Sequence, residues 1–300
     1  MTWGAAIHVE GNVFKIFFRK LLDALRMEDA SARRGRVDKA SERMEKPFST
    51  ISDSLKIVGS IFFPVAHPSR LYPALIVCHG IPGAGAARPE NDPGYEGLAR
   101  DFTALGIVVV IFNFRGCGDS DGDFDMMGWT RDLDAVVDAV CNTPYIDPTR
   151  LLVLGFSGGG AAAIEVASHR SDVYALAMVG TPAHFRIFEK DKGEIIADFR
   201  ERGIIRDPDF PHDPDKWMAG FEQVEPLRWV AHFRGRNLLI VHGDQDELVP
   251  VEHAHELLER APAGQARLSI IPGGVHRLRL DPACIAVLKD WVLDALGWRS

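Results

Sequence analysis

Short apolar runs that end in glycine, proline or histidine alternate along the chain with stretches of helical periodicity, and this alternation most constrains the fold. The apolar runs cover 74–78, 107–112, 151–154, 174–179, 238–241 and 268–271. Helical patterns lie between and after them, at 95–105, 129–142, 159–169, 251–260 and 282–296. Continuous apolar runs are typical of parallel strands that are buried on both faces. The alternation therefore predicts an α/β fold with a mostly parallel, doubly covered sheet, which binds ligands beyond the carboxyl ends of its strands.

One connection between predicted strands is too long to be a simple loop. Residues 183–234 separate the run at 174–179 from the run at 238–241, and a loop of that length without structure is improbable inside a domain. Helical patterns near 188–202 and 215–221 indicate a small helical cap, inserted into a core made of 51–182 and 235–300.

The first fifty residues differ in charge from the rest of the chain. They carry ten basic and seven acidic residues, whereas the whole chain has a net charge of −8. Apolar side chains recur at helical spacing between Val13 and Leu25, which predicts an amphipathic helix. We expect residues 1–50 to form an N-terminal helical extension packed on the core. A helix at a membrane surface and a dimer contact are the alternatives.

Composition excludes several classes of protein. The net charge of −8 argues against a nucleic-acid binder, which needs a basic face. Four scattered cysteines show neither zinc nor disulfide spacing, so we expect reduced thiols in a cytoplasmic protein; they are Cys78, Cys117, Cys141 and Cys284. The N-terminus does not resemble a secretion signal, and no apolar run reaches the length of a membrane span.

A candidate nucleophile lies where the third apolar run, 151–154, meets a helix of small residues. The segment 155–159 reads Gly-Phe-Ser-Gly-Gly and matches G-x-S-x-G. This strand–turn–helix context is what a nucleophile elbow requires, so Ser157 is the predicted nucleophile and the N–H of Gly158 faces the substrate oxygen. Ser120 also fits the pattern, but aspartates flank it and no small-residue helix follows. The aspartates at 119, 121, 123 and 125 lack the final glutamate of a calcium loop.

A serine hydroxyl needs a base, and the base needs an orienting acid. His276 follows the last apolar run, in Gly-Gly-Val-His, and is the predicted base. The loop after the run at 238–241 offers three acids, Asp244, Asp246 and Glu247. Spacing alone does not choose among them.

From about residue 55 to 297 the chain resembles the α/β-hydrolases. Residues 242–250 are similar to that family's HGxxDxxVP motif, which implies that Asp246 is the triad acid and that Asp244 is a turn residue. Residues 79–83 resemble the HGxxG oxyanion loop, which implies that the N–H of Ile81 joins that of Gly158, with His79 in a structural role. Residues 115–122 resemble the RGxGxSxG loop, which accounts for the second serine motif.

The resemblance implies a serine hydrolase that cleaves a small or medium carboxylic ester through an acyl-enzyme, without metal or organic cofactor. Amides, short peptides and thioesters are alternative substrates, and a non-catalytic ligand-binding receptor is the alternative from another class. The expected partner is a small ester or amide; a homo-oligomer stays open. Five aromatic side chains are candidates to line the acyl pocket: Phe156, Phe185, Phe188, Trp217 and Phe221.

Overall fold

The computed structural model describes residues 44–65, 68–83, 92–185 and 191–299. In these ranges eight strands form one sheet with the order β1-β2-β4-β3-β5-β6-β7-β8. The β1–β2 and β2–β4 pairs are antiparallel and the others are parallel. The strands are β1 (Met44–Ser52), β2 (Leu55–Phe63), β3 (Tyr72–Cys78), β4 (Val108–Phe112), β5 (Ile146–Phe156), β6 (Val173–Val179), β7 (Asn237–Gly243) and β8 (Ala266–Ile271).

Helices cover both faces of the sheet. On one face, α1 (Gly94–Thr103) and α8 (Pro282–Ala295) pack against alternate strand residues such as Leu75 and Val77. On the other face, α2 (Met126–Cys141), α3 (Gly158–His169) and α7 (Glu252–Arg260) pack against the intervening residues, such as Ile76. Successive strand residues therefore serve two separate cores. This arrangement confirms the predicted doubly covered, mostly parallel sheet.

The N-terminal part of the sheet corrects the sequence-based boundary at residue 51. Met44–Ser52 forms a strand that pairs antiparallel with β2, so the prediction of a helix is wrong for residues 44–50. The connecting turn is tight: Asp53 and Ser54 both have positive φ, as a two-residue hairpin loop of type I′ requires. The predicted amphipathic helix between Val13 and Leu25 lies outside the described residues.

Among the described residues between β6 and β7, in the segment predicted as a helical insertion, lie three α-helices and a 3-10 helix. They are α4 (Lys192–Glu201), α5 (Pro214–Gln223), α6 (Pro226–Trp229) and the 3-10 helix Val230–His232. Trp217 of α5 donates a hydrogen bond of 2.8 Å from Nε1 to the carbonyl of Phe124, which ties the insertion to the core. Among the described residues, no helix has the length and apolar character needed to cross a membrane.

Candidate active site

Ser157 stands at the junction of β5 and α3, in a backbone conformation that few side chains adopt. Its φ is +50°, in the left-handed region, and its N–H donates to the carbonyl of Val179 at 2.8 Å. Glycines make the sharp turn sterically feasible. A methyl group added at Gly155 would lie 2.5 Å from the Cα of Gly160, too close for two carbon atoms. Strain at this point lifts the hydroxyl above the end of the sheet.

The structure brings together the three residues predicted as a triad. Oγ of Ser157 lies 3.1 Å from Nε2 of His276. Nδ1 of His276 lies 2.8 Å from Oδ2 of Asp246. They come from the ends of β5, β7 and β8, whose parallel pairing places those ends at one edge of the sheet. The arrangement can pass a proton from the hydroxyl to the imidazole while the carboxylate fixes the imidazole tautomer.

Asp246 is buried yet held in its ionised form. Its side chain is inaccessible to solvent, and burial by itself would raise its pKa. Hydrogen bonds from His242, from His276 and from the N–H of Val249 outweigh burial and hold the pKa of Asp246 well below its usual range. The other oxygen, Oδ1, accepts the N–H groups of Leu248 and Val249 at 3.0 and 2.9 Å. A fixed negative charge therefore faces the imidazole.

The predicted oxyanion donors also lie together. A methyl group added at Gly158 would be 2.9 Å from Cγ1 of Ile81 and 3.7 Å from its backbone nitrogen. Gly158 begins α3, so its N–H has no acceptor within the helix and carries the positive end of the helix dipole. Two amide groups at this point can bind an oxygen that gains negative charge.

His79 fixes the peptide that presents the Ile81 amide. Its Nδ1 lies 2.7 Å from the carbonyl oxygen of Gly80, and its Nε2 accepts the N–H of Phe114 at 3.1 Å. Burial lowers the pKa of His79, so the ring is neutral and Nδ1 carries the proton. Because the peptide bond is planar and trans, the Ile81 N–H points opposite to the Gly80 carbonyl and therefore away from His79. His79 thus has the structural surroundings expected of it.

A cavity of about 1030 Å³ opens at Ser157 and His276. Two of the predicted aromatic residues, Phe156 and Phe185, are in its wall. Trp217 and Phe221 are not. They are buried against Phe124 instead, so the prediction that they line the pocket is wrong. Phe188 lies outside the described residues.

The cavity wall also contains residues that sequence reasoning missed, namely Tyr95, Arg202, Leu248 and Arg279. Arg202 lies at the C-terminal end of α4 in the insertion. Its Nη1 donates to the carbonyl of Pro82 at 3.1 Å, and its guanidinium group also pairs with Asp198. This contact joins the insertion to the oxyanion loop. No motif in the sequence marks it, since it depends on how the insertion folds over the sheet.

The second serine motif is built into the core. Ser120 is fully buried, donates from Oγ to the carbonyl of Asn113 at 2.6 Å and accepts the N–H of Val58 at 3.0 Å. Its acidic neighbours hold other segments; Asp121, for example, accepts the N–H of Lys56 at 2.9 Å. The loop therefore fastens the β1–β2 hairpin to the strand ends.

The four cysteines are free thiols.

Comparison with known proteins places this geometry among hydrolases. The sequence profile of the prolyl oligopeptidase family matches residues 98–296. The monoacylglycerol lipase of Mycolicibacterium smegmatis (strain ATCC 700084 / mc(2)155) is 23% identical over 294 residues, which cover 86% of this chain and 99% of that protein. The uncharacterized peptidase YtmA of Bacillus subtilis (strain 168) is 24% identical over 220 residues, covering 70% and 76% of the two chains.

Solved structures agree on the fold. The structure of Est1E from Butyrivibrio proteoclasticus with bound ferulic acid superposes with a TM-score of 0.62. It is 20% identical, and the match covers 83% of this chain and 99% of that one. The comparison confirms the α/β-hydrolase fold that the motifs predicted.

Proposed function

Since the chain belongs to the prolyl oligopeptidase family of α/β-hydrolases, we propose that it is a serine hydrolase that cleaves carboxylic esters through an acyl-enzyme on Ser157. The observation that carries the proposal is the hydrogen-bonded sequence from Ser157 through His276 to Asp246, with distances of 3.1 and 2.8 Å, at the mouth of a large cavity. A hydroxyl becomes a nucleophile at neutral pH only with such a base beside it.

In the proposed reaction, His276 takes the proton of Ser157 while Oγ attacks the ester carbonyl. The amides of Ile81 and Gly158 bind the oxyanion, and each such donor lowers the barrier by about 3–4 kcal/mol. His276 then gives its proton to the departing alcohol, which leaves an acyl-enzyme. A water molecule loses a proton to His276 and attacks the acyl group. His276 then gives that proton to Oγ of Ser157 as the acid departs, so the enzyme returns to its starting state.

An ester is the first choice of substrate because the match to the monoacylglycerol lipase covers 86% of this chain and 99% of that protein. The apolar part of the cavity wall, which includes Phe156, Phe185 and Phe199, suits an acyl group. A short peptide or amide is the second choice, and the family profile and the match to a peptidase favour it. The same triad can attack either carbonyl, so the leaving group decides between them.

Matched substrates separate the two choices. An N-acyl amino acid p-nitrophenyl ester and the corresponding p-nitroanilide share one acyl group and differ in the leaving atom. Because the p-nitrophenyl ester is intrinsically more reactive than the anilide, a peptidase would also cleave the ester faster, so cleavage of the anilide decides. We expect Ser157-dependent hydrolysis of the ester and no hydrolysis of the anilide above the Ser157→Ala background. Ser157-dependent hydrolysis of the anilide would replace the esterase proposal with a peptidase. The Ser157→Ala variant is the control, because activity that survives in it does not come from this site.

The same experiment tests the receptor alternative. A non-catalytic binding protein would hydrolyse neither member of the pair, and a fluorophosphonate would label wild type and Ser157→Ala equally. We expect labelling of the wild type alone.

A further inference from the structure

His242 is a buried, ionisable residue beside the triad that the proposed reaction does not use. It lies near the end of β7, and its side chain is inaccessible to solvent. Nε2 is 2.8 Å from the carbonyl oxygen of Val249 and 3.5 Å from Oδ2 of Asp246. Both oxygens can only accept hydrogen bonds, because Asp246 is ionised. Nε2 of His242 therefore carries a proton.

The second ring nitrogen shows that His242 is neutral. Nδ1 is buried, and it has no hydrogen-bond partner within the described ranges. A proton on Nδ1 would give a buried charge whose N–H group has no acceptor, which is costly. The ring is thus a fixed Nε2–H donor aimed between two acceptors of the loop that follows β7.

His242 and the loop that follows β7 together enclose the Asp246 carboxylate. Asp246 accepts the N–H of Val249 through Oδ1 at 2.9 Å, while His242 binds the carbonyl of the same residue. Oδ2, which the His242 proton also approaches, is the oxygen that lies 2.8 Å from Nδ1 of His276. His242 therefore acts on the oxygen that controls the base.

We propose that His242 is a positioning residue: it orients the Asp246 carboxylate and limits the negative charge that Oδ2 presents to His276. The inference rests on the proposed serine hydrolase function. A second donor on Oδ2 withdraws charge from the bond to His276, so without it the carboxylate stabilises the protonated imidazole more strongly. The cation then forms at higher pH, and the neutral base becomes scarcer.

The titratable and charged groups around His242 and His276 come from several elements. They are Ser157 at the elbow, Asp246 after β7, His253 on α7, and Arg277 beside His276 in sequence. His253 has a pKa that burial lowers, and its Nδ1 accepts the N–H of Ala183 at 2.9 Å, so it faces His242 as a neutral ring. Variants of His242 alone leave these other groups in place.

Two variants with side chains of similar size separate the effect of the hydrogen-bond donor from that of side-chain shape. His242→Gln places an amide N–H near the position of Nε2, whereas His242→Met fills the space without a donor. Active sites are counted by fluorophosphonate titration, so that kcat refers to folded enzyme only. For His242→Met we expect kcat to fall about tenfold, because the Asp246 carboxylate loses a contact that holds its orientation toward His276, and a small misplacement of a catalytic group is costly. We expect the acid limb of the kcat/KM profile to move up by about half a pH unit.

His242→Gln should stay within about threefold of wild type, with its acid limb unmoved. The proposal is overturned if His242→Met keeps wild-type kcat and pH profile, since the donor would then have no effect. Equal losses in both variants also overturn it, because ring shape would be the cause.

A measurement without turnover keeps the two proposals separate. Titration of the His276 ring is followed by NMR in wild type and in His242→Met. A midpoint displaced to higher pH in His242→Met supports the role of His242, and an unchanged midpoint rejects it. Absence of hydrolysis and of labelling in the wild type would instead reject the proposed function, while the NMR titration still decides on His242.

Discussion

Replacing Asp246 by Asn tests the orienting acid without changing its shape. Oδ1 accepts two backbone N–H groups, from Leu248 and Val249, and an amide oxygen can do the same. The amide NH₂ then occupies the position of Oδ2, 2.8 Å from Nδ1 of His276, and donates to it. That nitrogen must become an acceptor, so the proton moves to Nε2, the atom that should receive the proton of Ser157.

A base with its proton on the wrong nitrogen costs about 10⁴ in kcat, as in the corresponding variant of serine proteases. At about 1.36 kcal/mol for each factor of ten, the barrier rises by about 5.4 kcal/mol. The assay is ester hydrolysis, with folded protein quantified by circular dichroism and thermal unfolding. Fluorophosphonate titration does not serve to count active sites here, because the rate of labelling should fall together with kcat.

Asp244→Asn is the matched control, since it makes the same change of charge in the same loop. Asp244 accepts the N–H of Gly273 at 2.7 Å through Oδ1, a bond that an amide oxygen preserves. We expect its activity within about threefold of wild type. A loss below tenfold in Asp246→Asn, or equal losses in both variants, would show that Asp246 does not orient the base.

Three further results are expected. Because the pKa of Asp246 is depressed from 3.8 in the folded protein, its carboxylate adds stability above that value which is lost as pH falls below it. Urea unfolding of wild type and Asp246→Asn should therefore differ by a constant amount above about pH 5 and converge only as the pH falls below 3.8, and a difference that stays constant below 3.8 would contradict this. Trp217→Phe should lower the free energy of unfolding by about 1–3 kcal/mol, since the buried carbonyl of Phe124 loses its 2.8 Å partner, and an unchanged urea midpoint would refute it. Gly158→Ala should reduce kcat about a hundredfold by crowding the oxyanion site, and an unchanged kcat would contradict this.

The parallel core could be predicted from sequence because most of its strands contain a continuous apolar run, with glycine, proline or histidine within a few residues after it. The strand β1 could not be predicted in this way. It contains Pro47 and charged residues, and its turn has Asp53 and Ser54 where Asn-Gly is the usual hairpin signal. A proline is tolerated there because β1 lies at the edge of the sheet.

The candidate site likewise contains residues that could be predicted from sequence and residues that could not. Ser157 and His276 follow from local motifs, since a nucleophile elbow and a loop after the last strand have fixed positions in this fold. Trp217 and Phe221 could not be assigned, because aromatic spacing in a helix does not say whether its apolar face meets the core or the cavity. The role inferred for His242 needed coordinates, since it depends on which nitrogen faces which oxygen.

The central claim is that Ser157 carries the acyl group during turnover. Rapid-quench mass spectrometry of the enzyme mixed with a p-nitrophenyl ester measures this directly, with proteolysis to locate the modified peptide. We predict a mass increase equal to the acyl group on the peptide containing Ser157, formed within the first turnover and absent from Ser157→Ala. Steady hydrolysis with no acylated Ser157 at any time, or acylation at another residue that accounts for turnover, would contradict the account.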